Sequence, residues 1–326
     1  YYQWLSLLFT EVYLDRYFRD PQALLESLNC FVQRFNSHWA GQPVPIATDI
    51  NPYKADELNK LCLQNATGSG KTLLMHVNYR QFAHYAARYG QARVMTRTLL
   101  ITPNEGLSEQ HETEMRQSGI DVARLVLDNN DMFTSQSGHL TRVDFIEITK
   151  LGEKNGPNSI ATRNLGDQNL ILVDEGHRGM GKSEEDGWYK QRTLLTEKGF
   201  AFEYSATFRE AVNAAGSAQI EQAYAKAVLF DYSYKYFYED GYGKDYKIFN
   251  IPQSQGDVEF LYLTGCLLSF YQQLALYDER RAQYAEYNLE KPLWVFVGSS
   301  VSGSKKQTAE EKETVADIGK VLGFYA

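Results

Sequence analysis

Along residues 1 to about 40, apolar side chains recur at helical spacing: Trp4, Leu5, Leu8, Val12 and Phe18, then Leu24, Leu25, Leu28, Phe31 and Phe35. Pro21, after Asp20, predicts the start of a second helix. Two amphipathic helices forming an accessory layer are expected; their faces lack the Lys/Arg enrichment of membrane-surface helices. "GQPVPIATDINP" reads as a loop, and Ala55 to Lys60 as a short helix. The period then shortens. Leu61-Cys62-Leu63, Thr98 to Thr102, "DVARLV", "VDFIEITKL", "NLILVDEGHRG" and "FEYSAT" are short β-rich runs separated by helical or loop signals. Strands alternating with helices predict an α/β fold, a parallel sheet covered on both faces with ligands at the carboxyl ends of its strands.

Residues 221 to 246 are dense in tyrosine and end in a Gly-Tyr-Gly turn. An aromatic packing segment with a hairpin is favoured over a stacking platform for bases. Residues 258 to 289 read as helical. Pro292 and "LWVFVGSS" then predict the first strand of a second α/β domain, most of it beyond residue 326. The expected organisation is a helical extension over 1–50, an ATPase domain over 51–220, a tyrosine-rich and helical connection over 221–290, and an incomplete domain over 291–326. A chain that starts at Tyr1 and stops just after a new strand is expected to be a piece of a longer one.

With 326 residues, 43% hydrophobic and 13% aromatic, the chain can bury a large core. A net charge of −8 argues against a generally basic nucleic-acid coat but leaves room for a local positive groove. Cys30, Cys62 and Cys266 are scattered in apolar contexts and read as core thiols of a reducing compartment, with no metal cluster. No apolar run approaches the roughly 18 residues needed to span a bilayer, and Glu11 and Asp15 come too early for a secretory signal. A cytoplasmic location is expected.

The first candidate chemistry is "NATGSGKT". Ala66, Thr67, Gly68, Ser69 and Gly70 form a small, glycine-rich turn between a strand and a helix that begins at Lys71. Converging backbone N–H groups and a helix N-terminus suit a phosphate. Lys71 would reach the β- and γ-phosphates, and the Thr72 hydroxyl would hold Mg²⁺. Asn65 stands where the strict pattern has glycine.

About a hundred residues later "LILVDEGHRG" ends an apolar strand in two adjacent carboxylates. Asp174 is where a magnesium ligand belongs, and Glu175 is placed to activate a water against the γ-phosphate. His177 could link nucleotide state to a neighbouring element or be a satisfied structural histidine. Ser205 and Thr207 of "YSAT" could bond to the acid-histidine turn.

Taken in order, "ATGSGKT", "ITPNEGLSEQH", "EITKL", "VDEGH" and "YSAT" resemble motifs I, Ia, Ib, II and III of the DEAD/DEAH-box superfamily 2 helicases and translocases, most closely the helicase-like Res subunit of type III restriction enzymes. The resemblance covers about Leu58 to Thr207 and reads Asp-Glu-Gly-His where Asp-Glu-Ala-His is more familiar. It implies a RecA-like P-loop NTPase domain and an ATP–Mg²⁺ grip at Gly68, Gly70, Lys71 and Thr72. It further implies a Mg²⁺ ligand and base at Asp174 and Glu175, coupling through His177, Ser205 and Thr207, and phosphodiester-backbone contact at Thr102, Pro103, Thr149 and Lys150. The resemblance also implies a nucleic-acid partner, DNA by analogy, and a methyltransferase or other defence-system subunit. No glutamine for adenine recognition is identifiable upstream of the loop, the arginine finger of a second motor domain is missing, and no nuclease centre is evident. The favoured activity is an ATP-dependent translocase or helicase. The rivals are an ATP-gated clamp that does not unwind, a small-molecule P-loop kinase, and an interaction module with vestigial ATP.

Overall fold

The computed structural model describes residues 1–40, 49–125, 140–154, 156, 159–178, 186–245 and 256–296. In chain order its elements are α1 (Tyr2–Arg19), α2 (Pro21–Ala40), β1 (Lys60–Asn65), α3 (Lys71–Arg88), β2 (Arg97–Thr102), α4 (Glu105–Gln117), β3 (Asp121–Arg124), β4 (Arg142–Glu147), β5 (Leu151–Gly152) and β6 (Ile160–Ala161). There follow β7 (Asn169–Val173), α5 (Asp186–Leu195), β8 (Phe200–Ser205), α6 (Phe208–Ala215), α7 (Ala218–Ala227), β9 (Val228–Tyr232), α8 (Tyr234–Glu239), α9 (Gly256–Glu279) and α10 (Arg281–Ala285). The short helix expected at Ala55 to Lys60 is a 3₁₀ turn over Ala55–Glu57, and Lys60 already opens β1.

Seven strands form one sheet in the order β3-β4-β2-β7-β8-β1-β9, every pairing parallel. Alternate residues serve opposite faces. Leu100, Leu170 and Leu172 join the cluster that contains Met75 and Phe82 of α3 and Met115 of α4. Leu99, Ile101, Ile171 and Val173 join Leu195 of α5 on the other face. Burial on both faces is why these strands read as continuous apolar runs. The fold is therefore α/β and RecA-like.

Helices α1 and α2 fill the stretch expected to hold two helices, and α2 begins at Pro21 as expected. Tyr13, Leu14 and Phe18 of α1 and Leu24 of α2 lie in the same core cluster as β1, β8 and α3, so this pair helps to cover one face of the sheet. The tyrosine-rich segment departs from expectation. In place of a hairpin it supplies a seventh parallel strand, β9, alongside β1, and then the helix α8. Tyr224 and Tyr232 are core residues, while Tyr234, Tyr236, Tyr238 and Tyr242 are exposed. Cys62 is buried as expected, but Cys30 is exposed, because it lies off the packed side of α2, whose buried residues are Leu24 and Val32.

The chain divides into two compact units, Tyr1–Lys244 and Asp245–Ala326. In the second unit α9 and α10 bear out the helical reading of 258–289. Leu293 to Phe296, expected to begin a strand, carry no strand assignment, and the rest of that predicted strand lies outside the described residues. Among the described residues no helix is long and apolar enough to cross a membrane.

Candidate active site

The order β7-β8-β1 sets three sequence-distant segments side by side at the carboxyl edge of the sheet. The glycine-rich loop leaves β1, the Asp-Glu-Gly-His turn leaves β7, and Ser205 ends β8 between them.

In the loop, Gly68 and Gly70 have φ of +83° and +89°, the left-handed region that glycine enters without steric cost. Lys71 opens α3, and its Nζ donates to the Asn65 carbonyl at 3.3 Å. Lys71 and Thr72 are half-buried, whereas Thr67 and Gly68 are exposed. Ser69 Oγ and both polar atoms of the Asn65 side chain are buried without a hydrogen-bond partner among the described residues. Orphaned polar atoms in a loop of this shape, with the free N–H groups of a helix's first turn beyond it, fit a bound polyphosphate. Lys71, the Thr72 hydroxyl and the Asp174 carboxylate are the right donor set for phosphates with a divalent ion. Among the described residues no cluster of three or more His, Cys, Asp or Glu could hold a metal by protein ligands alone. Magnesium commonly shares one or two protein ligands with phosphate oxygens.

Asp174 and Glu175 are both half-buried. Asp174 Oδ1 accepts from the Glu175 backbone N–H at 3.0 Å, and Oδ2 lies 2.9 Å from His111 Nε2. Burial alone would raise the Asp174 pKa; the hydrogen bond and charge of His111, the Glu175 N–H and nearby Lys71 outweigh it and hold the carboxyl below its usual value. The group is thus kept ionised, as a cation ligand must be. Glu175 has φ +53°, an uncommon conformation for a residue with a Cβ. Its Oε2 lies 3.2 Å from His177 Nδ1, which is also 2.8 Å from Ser205 Oγ. Ser205 Oγ accepts from the Thr207 N–H at 3.0 Å, so Glu175, His177, Ser205 and Thr207 form one connected chain.

The residues expected to touch a nucleic-acid backbone divide into two groups. Thr149 is exposed and Lys150 half-exposed, its ammonium paired with Glu147. Thr102 and Pro103 are buried, and the Thr102 hydroxyl is engaged by Ser108 Oγ at 2.6 Å. Their side chains shape the site from beneath, lining a small notch with Ile148, Asp174, Glu175 and Arg178.

Four residues that the sequence reading did not single out for a role lie against these motifs. The Tyr2 hydroxyl and Gln3 Nε2 donate to the Ser69 carbonyl at 2.8 and 2.9 Å, so the start of α1 rests on the phosphate loop across a separation of more than sixty residues. Tyr2 also stacks on Tyr232 with ring centroids 3.8 Å apart. His111 sits inside a motif whose resemblance assigned it nothing. Arg192 of α5 donates from Nη1 to the Gly176 carbonyl at 3.0 Å. No local spacing announces such contacts, because each joins elements brought together only by the sheet.

A sequence model of the family described as type III restriction enzyme, res subunit, matches residues 22–210. Solved structures are similar as well, two among them. One is the helicase domain of Hef from Pyrococcus furiosus, at 16% identity over 50% of this chain and 34% of that one, with a TM-score of 0.32. The other is T4 UvsW, at 12% identity over 76% of this chain and 49% of that one, with a TM-score of 0.34. The match thus spans less than half the length of either protein. Comparison with curated proteins gives no match.

Proposed function

The chain belongs to the type III restriction enzyme, res subunit, family, and on that premise we propose that it carries the first motor domain of an ATP-dependent nucleic-acid translocase, directed to DNA and working in a restriction or phage-defence system. The observation that carries this reading is the convergence of Lys71, the Asp174–Glu175 pair and Ser205 on one carboxyl edge through β1, β7 and β8. A phosphate loop alone would serve many activities; a carboxylate pair beside it, wired through histidine to the neighbouring strand, suits hydrolysis coupled to movement.

In this reading Lys71, Thr72 and the amides of Thr67, Gly68 and Gly70 would bind the phosphates of ATP, and Thr72 and Asp174 would hold Mg²⁺. The Ala66 N–H, expected to join them, donates instead to the Tyr232 carbonyl at 2.9 Å, and the Ser69 N–H to the Ala66 carbonyl at 3.1 Å. ATP with Mg²⁺ supplies the phosphoanhydride to be cleaved and a charge that neutralises the leaving phosphate. Glu175 takes a proton from the attacking water. His177, bonded to Ser205 and placed beside Glu175, relays the change to Thr207 and α6. Thr149 and Lys150 contact the phosphodiester backbone, a contact that is independent of sequence. In this reading an arginine from a second motor domain would complete the site. A methyltransferase subunit is the partner that this reading favours.

The test is the ATPase rate of the full-length protein alone and with single-stranded DNA, duplex DNA and RNA in turn. Stimulation by DNA together with displacement or translocation supports the proposal. Stimulation without movement makes the protein an ATP-gated clamp, and indifference to every nucleic acid overturns the reading.

A further inference from the structure

The Asp-Glu-Gly-His turn rests on a buried ionic cluster that none of the motifs contains. Glu203 of β8 is 1% exposed and is the hub. It accepts from Lys60 Nζ at 2.8 Å and from the Tyr224 hydroxyl at 2.6 Å, and its Oε2 stands 4.0 Å from Arg192 Nη1. Arg192 is 3% exposed, yet the hydrogen bond from Nη1 goes to the turn, at the Gly176 carbonyl. Burying such charges costs free energy that apolar packing would avoid, so a cluster of this kind is better suited to fixing a conformation than to adding stability.

The conformation it holds is specific. The Gly176 N–H donates to the Tyr204 carbonyl at 2.9 Å. A Cβ at position 176 would stand 3.0 Å from Glu203 Cβ, 3.1 Å from Glu203 Oε2 and 3.2 Å from Phe208 Cε1, tighter than nine in ten real contacts of that kind, so these neighbours would have to give by a few tenths of an ångström. Residue 176 is therefore fixed by its N–H, its carbonyl and its Cα at once. The residue before it is Glu175, whose left-handed φ of +53° persists only where the surroundings over-determine it.

We propose that Arg192, anchored by Glu203, is a positioning residue for Glu175: by holding the Gly176 peptide it keeps Glu175 in its left-handed conformation, with its carboxylate beside His177. The inference rests on the reading of Glu175 as the base, and it gives a reason why this chain carries glycine where alanine is more familiar. An alanine methyl would crowd Glu203 and Phe208.

The experiment compares Arg192→Met, Arg192→Lys and Glu175→Gln in the full-length protein, measuring kcat, KM for ATP, nucleotide affinity and melting temperature. Arg192→Met leaves Glu203 paired with Lys60 and Tyr224, so no uncompensated charge is buried. It is expected to lower kcat about a hundredfold, as a small misplacement of a reacting group does, with nucleotide affinity unchanged. Arg192→Lys, which can still donate to one carbonyl, is expected to recover part of the loss. A parallel fall in affinity, or wild-type kcat in Arg192→Met while Glu175→Gln is inactive, overturns the positioning role. Wild-type kcat in Glu175→Gln instead overturns the assignment of the base on which the inference rests. Should Arg192→Met yield no folded protein, Arg192→Lys decides: reduced kcat at unchanged affinity supports the proposal, and wild-type kcat overturns it.

Discussion

His111 Nε2, on α4, lies 2.9 Å from Oδ2 of Asp174, at the end of β7. The helix that follows the Thr102-Pro103 segment is thereby tied to the carboxylate proposed to hold magnesium. Removing a hydrogen bond to a charged group costs about 1.5–3 kcal/mol. His111→Ala is therefore expected to weaken Mg²⁺-dependent binding of a fluorescent ATP analogue by about tenfold or more, and to leave binding in EDTA unchanged. His111→Gln, which keeps a donor, should lose less. Equal affinity of His111→Ala and wild type across a Mg²⁺ titration would show that the bond does not prepare Asp174.

Lys71 and Glu175 should separate binding from chemistry. Lys71→Ala is expected to abolish nucleotide binding at micromolar protein in equilibrium titrations. Glu175→Gln should bind ATP as the wild type does and hydrolyse it about a hundredfold to ten-thousandfold more slowly, the usual range for a lost general base. Single-turnover kinetics would distinguish these, and normal turnover in Glu175→Gln would remove it as the base.

Thr102 and Lys150 should behave differently although the same resemblance nominates both. Thr102 is 1% exposed and bonded to Ser108, so Thr102→Val is expected to lower the melting temperature while preserving the salt dependence of DNA binding. Lys150→Ala should reduce that salt slope by about 1, the signature of one lost phosphate contact. An unchanged slope in Lys150→Ala would take it off the track.

His76 is 3% exposed, with Nδ1 at 2.8 Å from Ser118 Oγ. Burial, and then the charge of neighbouring His111, push its pKa down to about 4. The unfolded chain, with a histidine near 6.5, binds the proton more tightly than the fold does. The His76 contribution is thus whole above about pH 6.5 and is lost as pH falls towards 4. Urea unfolding at pH 7.5 and pH 5 should show a smaller drop for His76→Asn than for wild type; an equal drop would mean that His76 protonates freely in the fold.

Gly176→Ala would press a methyl against Glu203 and Phe208. Overpacking of this kind costs about 1–3 kcal/mol, so a lowered melting temperature is expected, and a melting curve identical to wild type would show that the turn yields without cost.

Local patterning along the chain is enough to dictate the pieces that repeat on a short length scale. The two N-terminal helices with a start at Pro21, the doubly buried strands β1, β2, β4, β7 and β8, and the phosphate loop are each dictated by neighbours a few residues away, through periodicity, proline and glycine. The tyrosine-rich segment misled because its strand, β9, is defined by pairing with β1 about 165 residues earlier, a contact that leaves no local period. The same reason hid His111 from Asp174, Tyr2 and Gln3 from Ser69, and Arg192 and Glu203 from Gly176. Thr102 shows the converse: its motif is local, but whether its hydroxyl faces a ligand or the interior depends on how α4 packs. Hydrogen bonds between distant elements follow from strand order and helix placement, and only the folded sheet decides those.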